Sequence, residues 1–160
     1  MPLSDKEIAD FYRRSFTVAD GLWFLKVEEE YGFEPALEID NEVWKVLPKI
    51  QARFLKEKMG LSEGLTALAE ALTTRLKLDG FVFRNESGGK TSRIVITKCP
   101  WHETMVKSNR KGLSGRVGAT ICPTEYKVWA AEFGQDIVFS LKGKLCGGDE
   151  SCILEFRQEG

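Results

Sequence analysis

At 160 residues, with 24 acidic and 23 basic side chains and a formal net charge of −1, the chain suits about one ordinary domain. It carries no global charge bias towards nucleic acid or an anionic membrane. No stretch approaches the roughly 18 consecutive apolar residues that cross a bilayer, and the start, Met1-Pro2-Leu3-Ser4-Asp5-Lys6, has no secretory pattern. The chain therefore reads as cytoplasmic, a partner of neither nucleic acid nor membrane, with its thiols kept reduced.

Ile8, Phe11 and Tyr12 keep the spacing of one helical face and predict a short amphipathic helix from about Asp5 to Arg14. Thr17 and Asp20 resemble a capping box for a second helix, with Trp23, Phe24, Val27 and Tyr31 along one side and Gly32 as its stop. Asp40 can cap a third, with Val43, Trp44, Leu47, Ile50 and Phe54 as its apolar face and Pro48 predicting a kink or break near Val46. Ser62 can cap a fourth, with Leu65, Leu68, Ala69, Leu72 and Leu76 inward and Asp79-Gly80 at its end. Aromatic stripes at helical spacing read as core. The acidic run from Glu28 to Glu42, which contains no Lys or Arg, reads as a solvated face.

Beyond Gly80 the period changes to alternation. Phe81-Val82-Phe83 and Ser92 to Thr97 predict two strands joined by a turn at Asn85 to Gly89, and the second strand runs into Cys99-Pro100-Trp101-His102. Pro100 at a first helical position makes Cys99 a candidate N-cap. The glycine-punctuated stretch Lys107 to Gly118 predicts a mobile basic loop whose Arg110, Lys111 and Arg116 suit a carboxylate or phosphate on a small ligand. Cys122-Pro123 is expected to open the next helix, where the dipole would favour a thiolate. Two strands, from Ile137 to Leu141 and from Ile153 to Arg157, close the chain and bring Cys146 and Cys152 near one another. The expected fold is α+β: a helical layer over residues 1–78, then a ββαββ antiparallel four-stranded module over 79–160, with one shared core.

All four cysteines and the single histidine lie in the second half. One reading makes Cys99, Cys122, Cys146 and Cys152, or three of them with His102, ligands of zinc or an iron–sulfur cluster, since soft thiolates suit both. Their spacing matches no standard finger or ferredoxin pattern. A second makes Cys122 a nucleophile with His102 as general base. A third leaves the thiols as buried small hydrophobes.

The ending Leu145-Cys146-Gly147-Gly148-Asp149-Glu150-Ser151-Cys152-Ile153-Leu154-Glu155-Phe156 resembles the close of the 4-vinyl-reductase-like domain. That resemblance implies an α+β fold that binds small molecules, with its cysteines as metal ligands. Asp20-Gly21-Leu22-Trp23-Phe24-Leu25, Glu28-Glu29-Glu30-Tyr31-Gly32 and Asn41-Glu42-Val43-Trp44, with the cysteine-rich second half, are similar to the family named after L-2-amino-thiazoline-4-carboxylic acid hydrolase. This second likeness implies hydrolysis of a small cyclic or amide substrate. The expected function is binding of a small molecule, such as a carboxylic acid, beside a cysteine-liganded metal centre, with a cysteine-dependent hydrolase as the alternative. The oligomeric state is left open, a homodimer included.

Overall fold

The computed structural model describes residues 2–160. Five helices and a four-stranded antiparallel sheet make an α+β fold: α1 (Asp5–Tyr31), α2 (Phe33–Lys58), α3 (Leu65–Asp79), β1 (Val82–Gly88), β2 (Thr91–Lys98), α4 (Pro100–Lys107), α5 (Lys111–Phe133), β3 (Ile137–Lys142) and β4 (Cys152–Gln158). No helix among the described residues is long and apolar enough to cross a membrane.

The first two predicted helices are one. Ser4 and Glu7 form a reciprocal capping box at its start, the Glu7 N–H donating to Ser4 Oγ at 3.3 Å and the Ser4 N–H to Glu7 Oε2 at 2.8 Å. The capping signal at Thr17 lies inside the helix instead, its hydroxyl donating to the Arg13 carbonyl at 3.1 Å. Gly32 does stop α1, with φ 93°, and α2 begins one residue later. Pro48 lies buried inside α2 without breaking it, and α3 starts after Gly64 rather than at Ser62.

The strands run in the order β1-β2-β4-β3. β1 extends to Gly88, which pairs with Thr91, so the turn is shorter than the Asn85–Gly89 stretch suggested. Ile94 faces Leu154 and Phe139 faces Phe156 across the ladder. Ile94, Ile96, Leu154 and Phe156 meet Leu68, Leu72 and Leu76 of α3 and Trp129 and Phe133 of α5 in one buried cluster. Residues from both halves of the chain thus build the core.

The largest departure from the sequence reading is at Lys107–Gly118. Between β2 and β3 stand two helices rather than one, and the expected mobile loop is the end of α4 and the first third of the 23-residue α5. Gly112, Gly115 and Gly118 are therefore helical. Two of them admit a close neighbour: a Cβ on Gly115 would lie 3.1 Å from the Cys146 carbonyl oxygen, and one on Gly118 would lie 2.7 Å from Cys146 Sγ. A glycine that breaks a helix in isolation here permits the approach of α5 to the turn Leu145–Gly147. Gly118→Ala should destabilise the protein by about 1–3 kcal/mol through that overlap. Gly112→Ala, with nothing within 4 Å, should stabilise it by up to ~1 kcal/mol through helix propensity. Urea unfolding of both variants checks the contrast in sign.

Candidate functional site

A cavity of about 410 Å³ opens between α1, α2, α4 and α5, with Phe81 of the α3–β1 connection and the Cys146 turn completing its wall. Most of its lining is apolar. Phe24 and Leu25 come from α1, Trp44 from α2, Trp101 and Met105 from α4, and Val117 and Ile121 from α5. Trp101 is the centre of the aromatic wall, with Phe16 at 6.0 Å, Trp44 at 5.9 Å and Phe81 at 5.8 Å between ring centroids.

Ionisable groups enter this wall at positions that sequence reading assigned to no site. Arg75, 3 % exposed, pairs through Nε with Asp79 Oδ2 at 2.6 Å and through Nη1 with Glu125 Oε1 at 2.5 Å. Its guanidinium lies 5.7–5.9 Å from the ring centres of Trp44, Phe81 and Trp101. Burial works against its charge, but Glu125, Asp79 and Tyr126 outweigh this and hold it protonated. Glu125 is pushed up to about 7 by burial, against the pull of Arg75 and with the repulsion of Asp79. Burial likewise raises Asp79 against Arg75. One guanidinium is shared between two buried carboxyls and cannot fully balance both.

A second acid pair faces the cavity from the α1–α2 side. Trp101 Nε1 donates to Asp20 Oδ2 at 2.9 Å, and burial raises Asp20 despite that bond. Asp40 is pushed up to about 7, chiefly by burial and then by the charge of Asp20, while Trp44 pulls the other way. The sequence held a signal for all of these groups: Asp20, Asp40, Arg75 and Glu125 stand four residues from the inward-facing Phe24, Trp44, Ala71 and Ile121. A charged residue at a core phase of a helix requires a partner or a purpose.

The predicted residues fare differently. Cys99 is the N-cap of α4 with Pro100 in the first turn, as expected, yet burial pushes its thiol up to about 12 against the His102 and Trp101 backbone N–H groups. Cys122 does not open a helix. It lies in the middle of α5, and burial raises it well above the ordinary thiol range, with Glu125 and the other three cysteines adding to the shift. Cys146 stands in the turn Leu145–Gly147 and Cys152 begins β4, opposite Ile96 and accepting the Leu145 N–H at 3.2 Å. Both thiols are raised, mainly by burial.

These findings overturn the cysteine-liganded metal centre. All four sulfurs border the cavity, but among the described residues no three His, Cys, Asp or Glu side chains converge as a ligand set for an ion. The helix-start position expected for Cys122 as a nucleophile is not found, since the dipole at the start of α5 does not reach a thiol in mid-helix. His102 Nδ1 instead meets the hydroxyl of buried Ser114 at 2.8 Å. Arg110 lines the cavity and pairs with Glu28 at 2.6 Å, while Arg116 lies over Phe33 and pairs with Glu34. Lys111 is exposed at the first turn of α5. The acidic run is thus partly consumed in fastening α1 and α2 to α5.

Replacing Arg75 by Met should cost about 3–5 kcal/mol, because Asp79 and Glu125 would be left buried without a counter-charge. Adding Glu125→Gln should return part of that loss, a coupling that a denaturant double-mutant cycle measures. No curated protein and no solved structure matches the chain. Residues 5–151 match a family of unknown function, DUF6125, and the chain belongs to that family.

Proposed function

We propose that the chain binds a small molecule in this cavity, its apolar body against Trp44, Trp101 and Phe24 and a basic or hydrogen-bond-donating head at Asp20 and Asp40. The supporting observation is the make-up of the wall. It is apolar and aromatic, with the carboxyls of Asp20, Asp40 and Glu125 set into it, and its buried guanidinium is already committed to Asp79 and Glu125. An apolar pocket of a few hundred Å³ with a few converging polar groups is the ordinary form of a small-molecule site. A carboxylic acid, which Arg110, Lys111 and Arg116 would suit, is served less well, since Arg110 and Arg116 are paired and the anion would meet further carboxyls. The likeness of Leu145–Phe156 to the 4-vinyl-reductase-like domain supports small-molecule binding without specifying the head group.

The acid pair gives the reading a pH signature. Asp40 holds its proton up to about 7 in the folded chain against an ordinary 3.8. Between those values the folded state binds more protons than the unfolded one, so this group's contribution to stability falls as pH rises through the window. Asp40→Asn should flatten that slope and be more stable than the parent chain at about pH 8 in thermal melts. A cationic head needs ionised carboxyls. Quenching of tryptophan fluorescence by 1-naphthylmethylamine should therefore strengthen with rising pH, and the amine should bind on the order of tenfold tighter than 1-naphthoate near pH 8, about 1.4 kcal/mol. Equal or tighter binding of the naphthoate would remove the basis for a basic ligand.

A further inference from the structure

α1 is 27 residues long and not one of them is buried. Its cavity side carries Asp20 and Phe24, with the half-exposed Val18 and Leu22 also lining the cavity, and Ile8, Phe11, Tyr12 and Trp23 stand exposed away from it. The intervals 8, 11, 18 and 22 follow the alternating three-and-four spacing of a helix–helix seam, with Ser15 at the position between. α2 repeats the pattern. While Trp44, Pro48, Ala52 and Leu55 point inward, Ile39, Val43, Val46, Ile50 and Phe54 form an outward stripe. These eleven side chains are 42–75 % exposed.

The two stripes lie on one helical hairpin. Phe24 of α1 meets Phe33 of α2 edge to face at 5.8 Å, and Asp20 lies near enough to Asp40 for their charges to oppose each other. The helices therefore run back on one another as a hairpin. Eleven large apolar side chains at about half exposure present on the order of 1,000 Å², beyond the ~300–600 Å² of the largest patch on a typical monomer. A stable dimer covers ~800 Å² on each partner.

Charge names the occupant. Beside its apolar stripe α2 carries Glu34, Glu38 and Glu42 in the first half and Lys45, Lys49 and Arg53 in the second, all exposed. Two of these cations also have partners within the chain, Lys45 with Glu42 and Arg53 with Glu132, and the Arg53 side chain is still 65 % exposed. Laid antiparallel on itself about Val46, α2 sets Glu38 and Glu42 of one copy against Arg53 and Lys49 of the other. A parallel arrangement would set like charges together. Self-complementarity of this kind is what a two-fold, isologous interface requires.

We propose that this face is covered by a second copy of the chain, the two α1–α2 hairpins packing as a four-helix bundle about a two-fold axis near Val46. The dimer then packs against α1, the outer wall of the cavity, along a seam that includes the cavity-lining Val18 and Leu22. Light scattering of the full chain across about 1–100 μM should give twice the 18.0 kDa monomer mass. Val46→Glu with Ile50→Glu, both at exposed positions, should give a folded monomer with unchanged helical circular dichroism. Glu42→Lys and Lys49→Glu should each weaken the dimer several-fold at low salt, and the double exchange should restore it. A monomer at the highest concentration would overturn the proposal, whether or not it bound anionic vesicles. A dimer indifferent to Val46→Glu/Ile50→Glu, or one that the charge exchange fails to restore, would do so equally.

Discussion

The interaction on which the rest of the structure depends is the burial of Arg75. Withdrawing a guanidinium from water costs several kcal/mol even after the surroundings relax, and at 3 % exposure almost none of that hydration is kept. The cost is offset only where several elements meet at one point. Asp79 of α3 and Glu125 of α5 supply charge, and Trp44 of α2, Phe81 and Trp101 of α4 supply ring faces. Each ring contributes about 0.5–2 kcal/mol. One side chain thereby fixes the relative positions of four helices and the entry to the sheet, and leaves the cavity with more carboxyls than cations.

That dry, aromatic setting decides the chemistry of the other groups. It raises Asp20, Asp40 and Glu125, and the same loss of water raises all four thiols. The thiols all border the cavity, yet among the described residues no three of the His, Cys, Asp and Glu side chains converge to hold an ion. Proximity along a cavity wall and convergence on one ion are different geometries. The second needs ligands drawn to bonding distance and stripped of their protons.

The outward faces of α1 and α2 complete the physical picture. A helix of this length is not held by propensity alone, and in a globular protein its stability comes from a covered apolar side. α1 has apolar side chains on both sides and none buried, with one side spent on the cavity wall and the other bare. The wall that shapes the cavity and the face left uncovered adjoin on one helix at Val18 and Leu22, so occupancy of either bears on the rigidity of the other.

Some of this was decided by local order in the chain. The helical character of the first half, the change to alternation after Gly80, the stops at Gly32 and Gly80 and the Cys99-Pro100 helix start are short-range signals and stand in the structure, although the four expected helices are three and Asp40 lies inside α2. So does the α+β class with its four-stranded antiparallel sheet. What local order left undecided was direction. An apolar stripe does not say whether it faces inward or outward, and Ile8, Phe11, Val43 and Phe54 face outward. Three glycines in a row of basic residues do not say whether they loosen a loop or let a helix approach Cys146. Cysteine spacing does not say whether burial leaves the sulfurs charged. Only the tertiary structure settled these points, because each depends on what lies across space from the residue: a covering surface, a close backbone, or the water that a charge needs.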